Sequence, residues 1–524
     1  MRYRNLAKPL AAILLVAALL SVESCISAPK QVTTPPPEPI IEPTPEPTPP
    51  PQPIIEPAPE PVPPPEAIPE PTAPPEPPTV EPSIPVVVPP PPEPVDPKIE
   101  AIRLVQQLLA KGAAEEAAAR LSELITAYPD DAVLPMLRVG ALASAGKFPE
   151  ARKTLDSIIA SSPDDLAALD MAVKIARFQG DITGRKAYLN AASKVAPSDP
   201  RVLVGWGQLW LESSSWAQAE KSFRSALESD SQNAEAEHGL GLALYRLGKF
   251  GEASKALDAA LVLEPKNAAL WADHSRARYQ LGYIKEAESD LGKSIELNPG
   301  AAWSWFDRGR LRYDDGRLEE AERDLDAAIE RQPDYFLSYI YRGAIYERTQ
   351  RDLAAMADYD RVVVTNKEYW YAYESAGLCA FRLGRWADAA DRFQKAWPNS
   401  RTRYDYATMA AIAMFRDGRT AAAKAWASKV AAQIDRSKYQ QQWLVLRLLA
   451  DMNDITGELE VAIQSEKKLD IKAAMLFGLG EYWLIRGKPD LCLKYLVLDR
   501  SLNRQHTLEF GLLDTELKRL GKDG

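Results

Sequence analysis

The stretch from Ala234 to Pro333 closes three successive segments with a similar short phrase: Leu-Glu-Pro at 263–265, Leu-Asn-Pro at 297–299 and Arg-Gln-Pro at 331–333. The three prolines are 34 residues apart. Counted back from each proline, an alanine, a leucine and a small residue recur at fixed distances: Ala253, Ala287 and Ala321; Leu257, Leu291 and Leu325; Ala260, Ser294 and Ala328. A constant period of this length is the signature of a repeat architecture, so it decides the fold before any single motif does.

Each unit is predicted to fold into two helices, because its apolar residues follow i, i+3, i+4 and i+7 spacing on both sides of a glycine turn at Gly248, Gly282 or Gly316. Gly241 and Gly309 are small where the two helices are expected to cross. The proline lacks an N–H, so we expect it to end one unit and to suit the first turn of the next helix. A single pair of helices cannot bury its apolar face alone, so neighbouring pairs must stack.

With Trp271 and Trp305 at the fourth position, this pattern resembles the tetratricopeptide repeat signature of Trp, Leu-Gly, Tyr, Ala, Phe, Ala and Pro. The resemblance implies an all-α fold, an α-solenoid wound as a right-handed superhelix with a long concave face. It is strongest between residues 200 and 400.

The 34-residue register continues on both sides of this stretch. Upstream it is marked by Pro129, Pro163 and Pro197, although Arg185 takes the small-residue site of the third unit. Downstream it is barely visible from Lys438 to Ile471, and it returns at Leu479-Gly480. We therefore expect about ten recognisable and two degenerate units. About nine form a tandem array over 98–403, and 404–524 is a degenerate repeat-like region with a capping helix near Thr507–Leu520. The alternative is that this last region is a small helical domain of its own.

The first residues are typical of an export signal. Three cations precede an apolar run from Pro9 to Leu20 that is too short for a stable membrane span. Val22-Glu23-Ser24-Cys25 resembles a bacterial lipoprotein processing site, although Val22 and Glu23 depart from the usual pattern. Residues 1–24 are thus predicted to be a lipoprotein signal peptide and Cys25 the lipidated residue. An uncleaved anchor and an ordinary secretory signal are the alternatives. Ile26 stands where many inner-membrane lipoproteins carry aspartate, which favours an outer-membrane anchor facing the periplasm.

Residues 25–97 are predicted to form a disordered linker rich in proline and glutamate. Between Gln31 and Pro97 lie 31 prolines, 11 acidic residues and no Lys, Arg or aromatic residue. Such a composition cannot build a packed core, and at roughly 3.1 Å per residue it could extend on the order of 200 Å. A spacer is the simplest interpretation, and a ligand for an aromatic groove is the alternative. This segment accounts for the net charge of −10, so the remainder is nearly neutral and indicates neither nucleic-acid binding nor a basic membrane face.

Catalytic and metal chemistry is not indicated. Cys379 and Cys492 fall at helical positions that are normally buried, and three histidines are too few to favour a histidine-based metal site or a catalytic triad. Ala287–Ser294 imitates a phosphate-binding loop, but no strand precedes it. Gly239-Leu-Gly241 and Gly478-Leu-Gly480 lie in predicted helices, and His274, near Asp273, is expected to be solvated or to line the groove. We expect no enzyme, no cofactor and no metal.

In the tetratricopeptide family, first-helix positions line the concave face, and the resemblance implies a protein-binding groove. Its candidate residues are Glu235, His238, Tyr245, Arg246, Arg276, Tyr279, Trp303, Phe306, Arg310, Tyr313, Arg348, Tyr371 and Arg382, with Asp314, Glu374 and Phe381 beside them. Rings and guanidinium groups suit an extended peptide or a helix. The alternative is that the recurring tyrosines only seal the joints between helices. A clamp for C-terminal carboxylates is not reproduced, because Leu242, Arg276 and Arg310 occupy its ninth position.

These patterns support a non-enzymatic, lipid-anchored scaffold that binds partner proteins or peptides in the bacterial cell envelope during envelope assembly. The alternative is an accessory subunit that delivers a small ligand to an envelope transporter, with a pocket formed by 404–500.

Overall fold

The computed structural model describes residues 96–452, 455–505 and 507–522. The predicted signal peptide, Cys25 and the linker up to residue 95 lie outside the described residues. The part of the chain that is described consists of α-helices, one short 3₁₀ segment and their connections, and it contains no strand. The chain divides after Val195 into two compact units, which are described separately. The predicted division at residue 404 stays a prediction.

The first unit contains three helical hairpins. Its helices are α1 Pro97–Ala110, α2 Ala114–Ala127, α3 Val133–Ser144, α4 Phe148–Ser161, α5 Leu166–Phe178 and α6 Ile182–Val195. Asp96 caps α1 by accepting a hydrogen bond from the backbone N–H of Lys98, and Pro97 lies in its first turn. Arg185, which replaces a small residue in the repeat pattern, is only 1 % exposed, so this hairpin buries a whole guanidinium side chain.

The second unit contains nine further hairpins and a final helix. Its helices are α7 Pro200–Glu212, α8 Trp216–Ser229, α9 Ala234–Arg246, α10 Phe250–Leu263, α11 Ala268–Gln280, α12 Ile284–Leu297, α13 Ala302–Asp314, α14 Leu318–Arg331, α15 Phe336–Arg348, α16 Asp352–Thr365, α17 Tyr371–Arg382, α18 Trp386–Ala396, α19 Tyr404–Arg416, α20 Thr420–Ala431, α21 Gln440–Asp451, α22 Thr456–Ser465, α23 Leu469–Ile485, α24 Pro489–Ser501 and α25 Phe510–Arg519. Each helix packs against the next, as expected of an α-solenoid. The predicted all-α repeat fold is confirmed.

The recurring small residues let the two helices of a hairpin pack closely. A Cβ added to Gly241 would lie 2.6 Å from Cγ of Leu257, and one added to Gly309 would lie 3.0 Å from Cγ of Leu325. The turn glycines have a different function: Gly248 and Gly316, for example, have φ values of +75° and +80°, in the left-handed region that other residues rarely adopt. The helix pair and its turn thus follow from the 34-residue glycine pattern.

The prolines end the repeats, as predicted, but they do not lie in the first turn of the next helix. Pro299 is in the turn between two repeats, after α12 ends at Leu297 and before α13 begins at Ala302, and not in the first turn of the next helix. In this turn its carbonyl accepts a hydrogen bond of 3.0 Å from the indole Nε1–H of Trp305. Trp271 bonds in the same way to Pro265 and Tyr339 to Pro333, at 2.8 Å and 3.0 Å. The aromatic residue six positions after each proline therefore fixes the turn between repeats.

Three successive hairpins of the second unit contain a buried pair of polar side chains, one on each helix and sixteen residues apart. Arg308 binds Asp324 through two bonds of 2.8 Å, and Arg342 binds Asp358 through bonds of 2.8 and 2.7 Å. In the hairpin before them His274 occupies the cation's position, with Nδ1 3.1 Å from Asp290 Oδ2. The prediction that His274 is solvated or lines the groove is therefore wrong: its side chain is fully buried, and it contacts Asp290 of its own hairpin and Ser254 of α10 in the preceding hairpin.

The C-terminal hairpins keep the helical pattern where the sequence signature is weak. The final helix is shorter than predicted, from Phe510 to Arg519. Glu516 of α25 and Glu481 of α23 both accept hydrogen bonds from Arg416 of α19, at 3.1 and 2.9 Å. Arg519 donates to the backbone carbonyls of Phe381 and Arg382 in α17. Charged groups thus attach the last helix directly to α19 and α17, and Arg416 is shared with α23.

The strings that imitate nucleotide-binding motifs lie inside helices, as predicted. Ala287–Ser294 belongs to α12, where Ala287 and Leu291 are buried, and the two Gly-Leu-Gly strings belong to α9 and α23. Of the helices described, none has the length and apolar character needed to span a membrane.

Candidate functional site

The predicted groove residues all lie on first helices of hairpins in the second unit, namely α9, α11, α13, α15 and α17. The first helices of successive repeats contact one another at α9–α11 and α13–α15. These helices carry side chains at the predicted positions, and we call those side chains, with their immediate polar and aromatic partners, the first-helix strip. Its interactions run from one repeat to the next.

The middle of the first-helix strip is a chain of polar contacts that runs from His238 to Asp307. His238 Nε2 lies 2.8 Å from Asp273 Oδ2, and Asp273 accepts a bond of 2.6 Å from Arg276. Arg276 also donates to Asp307 of the next repeat, at 2.8 Å from Nε and 2.7 Å from Nη2. Burial alone would raise the pKa of Asp273, but His238 and Arg276 outweigh it and keep that pKa below its usual value. Asp307 raises the pKa of Arg276 above its usual value. Both groups are therefore held in their charged forms.

Two further arginines lie over tyrosine rings of the preceding repeat. The guanidinium carbon of Arg310 is 5.0 Å from the ring centroid of Tyr279, and that of Arg348 is 5.2 Å from Tyr313. Tyr279 donates a hydrogen bond of 2.6 Å to Asp314. Burial, and secondly this carboxylate, raises the pKa of Tyr279 to about 12, so its hydroxyl remains a donor at neutral pH.

A cluster of rings supports this part of the strip. Tyr341 of α15 meets Phe306 and Tyr313 edge-on, each with ring centroids 5.6 Å apart. Phe306 also packs on Tyr335 at 5.0 Å and is only 5 % exposed. Phe306 therefore holds the neighbouring rings in place and offers little surface to a partner. Trp303, the other predicted ring of α13, is partly buried and lies 5.9 Å below the guanidinium of Arg276.

At the N-terminal end of the first-helix strip, on α9, Glu235 is exposed and accepts a hydrogen bond from Gln208. Tyr245 packs on Phe250, and Arg246 lies 5.6 Å from the ring of Trp216.

At the C-terminal end, on α17, Tyr371 is 45 % exposed and stacks on Trp370, with centroids 3.8 Å apart. Arg382 donates hydrogen bonds from Nη2 to the carboxylates of Glu347 and Asp352, at 2.7 and 2.6 Å. Phe381 is fully buried and Glu374 accepts a hydrogen bond from Tyr406, so neither offers a free contact.

Sequence reasoning missed three members of the first-helix strip: Asp273, Asp307 and Tyr341. The signal for the two aspartates was present, because both occupy the sixth position of successive first helices, three residues before an arginine. Tyr341 lies at the same sixth position of α15, where the repeat changes from aspartate to an aromatic residue.

No metal-binding group of three or more His, Cys, Asp or Glu side chains occurs among the residues described. Cys379 and Cys492 are buried and not disulfide-bonded, and burial raises the pKa of both thiols. Both are thus packing residues and not reactive thiolates. What the first-helix strip offers is a row of rings and charged groups suited to binding.

Family comparisons give the same assignment as the repeat geometry. Tetratricopeptide repeat models match residues 108–174 and 211–277, and a second tetratricopeptide repeat model matches residues 306–372. These three segments span α1–α5, α7–α11 and α13–α17. No curated protein matches the chain significantly.

Several solved structures resemble parts of the chain. A tetratricopeptide repeat protein from Parabacteroides merdae is 20% identical over 48% of this chain and 98% of its own, with a TM-score of 0.36. PilF of Pseudomonas aeruginosa is 18% identical over 38% of this chain and 92% of its own, with a TM-score of 0.36. YrrB, described as a tetratricopeptide repeat protein with an unusual peptide-binding site, is 22% identical over 35% of this chain and 95% of its own, with a TM-score of 0.30.

Proteins of this repeat type generally serve as non-catalytic scaffolds for protein–protein interaction. On the helical hairpins, the 34-residue register and the matching repeat models together, the chain contains tetratricopeptide repeats, at residues 108–174, 211–277 and 306–372.

Proposed function

We propose that this protein is a non-enzymatic scaffold that binds a partner protein or peptide along the first-helix strip of its second unit. The observation that carries the proposal is the pairing of rings with arginines that keep free donors. Arg310 and Arg348 lie over Tyr279 and Tyr313, and neither guanidinium donates a hydrogen bond to any described residue. Arginines held in position by a ring are frequent energetic centres of protein interfaces.

The same contacts also support the alternative that the tyrosines seal the joints between helices. Tyr279 bonds to Asp314, 35 residues further along the chain, and so connects two first helices. Joining the repeats does not exclude binding, because a ring fixed by its neighbour loses little conformational entropy when a partner covers it.

The proposal places this scaffold in the bacterial cell envelope, where it would support envelope assembly. The predicted signal peptide, the lipidation motif at Cys25 and the proline-rich linker favour a lipid anchor, on the periplasmic face of the outer membrane, with the helical repeats held at a distance. Substitution Cys25→Ala tests the anchor: labelling with a fatty-acid analogue should be lost. Equal labelling of the two proteins would contradict lipidation at this residue.

The binding proposal is tested by recovery of envelope proteins on the full chain and on a variant with Tyr245→Ala, Tyr279→Ala and Tyr313→Ala. We expect recovery of the specific partners to fall in this variant. Tyr283→Ala is the matched control, because this ring is 55 % exposed and lies in a turn outside the first-helix strip. Unchanged recovery in the triple variant, with its helical circular dichroism retained, would refute the proposal.

The alternative function as a small-ligand subunit is not favoured by the cavity in the C-terminal region. The cavity, between α19, α21 and α23, has a volume of about 40 Å³, and its lining includes Met409, Val445, Phe477 and Glu509. A space of this size holds a few water molecules and is far smaller than sites for metabolites, which measure roughly 300 Å³ or more.

A further inference from the structure

The first-helix strip contains a patch with unused capacity for carboxylates. We define the tyrosine–arginine patch as Tyr279, Arg310, Tyr313, Tyr341 and Arg348, on the consecutive first helices α11, α13 and α15. The nearest carboxylate contact of Arg310 is a long one, 3.9 Å from Nη2 to Asp307 Oδ1, and Arg348 has no carboxylate within 4.0 Å among the described residues. Arg276 and Arg382, in contrast, are each bonded to two carboxylates. A ligand that covers the tyrosine rings of the patch can therefore accept hydrogen bonds from the guanidinium groups of Arg310 and Arg348.

The chain itself contains a segment with the complementary chemistry. Residues 31–95 include ten glutamates, no Lys or Arg and no aromatic ring, and nine of these glutamates are followed directly by proline. Proline-rich chains dock on aromatic surfaces, because their rings stack on aromatic side chains and their extended conformation loses little entropy on binding. A Glu-Pro dipeptide offers a carboxylate and an apolar ring side by side, which matches an arginine held over a tyrosine.

The spacing of the glutamates also fits the spacing of the arginines. Intervals of four residues recur, as at Glu38, Glu42 and Glu46. At roughly 3.1 Å per residue, four residues extend by about 12 Å. Arg310 and Arg348 lie on neighbouring first helices and are offset by about one helical turn, so packing and rise place them on the order of 10–12 Å apart. One extended stretch can thus reach both guanidinium groups.

We propose that the chain's own proline- and glutamate-rich segment, residues 31–95, docks on the tyrosine–arginine patch and competes there with outside partners. This inference rests on the proposed function, because it assigns an internal competitor to the same surface. Because the segment and the patch belong to one chain, their contact is intramolecular, and a weak site can be sufficient. Several Glu-Pro dipeptides can occupy the patch in turn, so an outside partner has to displace a mixture of weak contacts.

The inference is tested on the full chain by photo-cross-linking from a benzophenone side chain in place of Gln280, the exposed neighbour of Tyr279. Trypsin cuts after Lys30 and next after Lys98, so the whole segment is released as one fragment of unmistakable mass. We expect a cross-link from position 280 to this fragment within a single chain. The same probe in place of Glu330, a highly exposed residue on the second helix α14, should give little of it.

Substitution of both arginines, Arg310→Gln with Arg348→Gln, should reduce this cross-link at least about five-fold, because two charged contacts are lost together. The matched control is Arg323→Gln with Arg361→Gln, two exposed arginines on the second helices α14 and α16, and it should leave the cross-link unchanged. Equal cross-linking in all these proteins, or no adduct at all, would overturn the inference, and a product of two chains would assign the contact to a second copy.

The two proposals fail in different ways. If outside partners are recovered through the strip tyrosines but the fragment 31–98 is never captured, the internal competitor is wrong and the scaffold stands. If the fragment is captured but no outside partner depends on the tyrosines, the scaffold proposal is the one that fails.

Discussion

Substitution of one buried carboxylate should destabilise the middle of the second unit. Asp324 of α14 is 2 % exposed and accepts three charge-assisted hydrogen bonds, two from Arg308 at 2.8 Å and one from Arg312 at 2.9 Å. In Asp324→Ala, Arg308 keeps no carboxylate within bonding distance among the described residues, although its side chain is only 17% exposed. Arg312 keeps Glu288 at 2.8 Å, so most of the effect falls on Arg308.

Asp324→Ala breaks the pair and leaves the charge of Arg308 without its partner. Such a change lowers the free energy of unfolding by roughly 3–5 kcal/mol. The chain supplies its own control, because the hairpin of α9 and α10 has Leu240 and Ala256 at the two equivalent positions. The double variant Arg308→Leu with Asp324→Ala copies that apolar pair. Since replacement of a whole buried ion pair is often neutral, the double variant should lie within about 1 kcal/mol of the natural protein.

Urea unfolding and amide hydrogen exchange of α13 and α14 measure these differences, the second because repeat proteins often unfold locally. Protection of these two helices should fall sharply in the single variant and recover in the double variant. A single variant that costs less than about 1 kcal/mol, or a double variant as unstable as the single one, would refute this account of the buried pairs.

Two further predictions concern a helix crossing and the C-terminal helix. Gly241→Ala should destabilise the protein by about 1–3 kcal/mol in urea unfolding, because its Cβ would lie 2.6 Å from Leu257. Gly292 lies in open space inside α12, so Gly292→Ala should stabilise the protein by up to about 1 kcal/mol. Equal effects of the two substitutions would contradict the close packing at Gly241. Burial raises the pKa of Glu509 to about 7 and that of Asp499 to about 8. Both carboxyls stay protonated in the folded protein at pH values where they ionise in the unfolded chain, so the stability that these two groups contribute is fully present below about pH 4 and is lost as the pH rises towards about 8. Amide exchange in α25, corrected for its intrinsic rate, should thus be faster at about pH 8 than at about pH 5, and Glu509→Gln should weaken that dependence; a pH-independent protection would contradict the assignment.

Much of the fold could be predicted from the sequence, because its determinants recur every 34 residues. Gly241, Leu257 and Ala253 each appear again in the following units, and repetition separates such packing residues from chance. The same recurrence predicted that helices continue after residue 430, and they are present there although the sequence signature is weak. The proline was misplaced because its missing N–H suits both a turn and a first helical turn, and only the aromatic residue six positions later distinguishes the two.

The candidate site was harder to predict, because position on a helix does not determine which partner a side chain bonds. Arg276 and Arg310 share the ninth position of successive first helices, yet one is bonded to two aspartates and the other lies over a ring. His274 was expected to be solvated or to line the groove, like the neighbouring Asp273, although adjacent helical residues face different directions. Its sixteen-residue spacing from Asp290, repeated in the next two hairpins, was the better signal.

The location of the buried pairs has a consequence for how such an array changes over generations. Arg308 and Asp324 belong to the same hairpin, so duplication or excision of that repeat by recombination would carry both partners of this pair together. The bond from Arg276 to Asp307 joins different repeats, and the same event would sever it. An ion pair within one hairpin is thus kept when a repeat is gained or lost, whereas a pair between repeats has to form anew with a different neighbour.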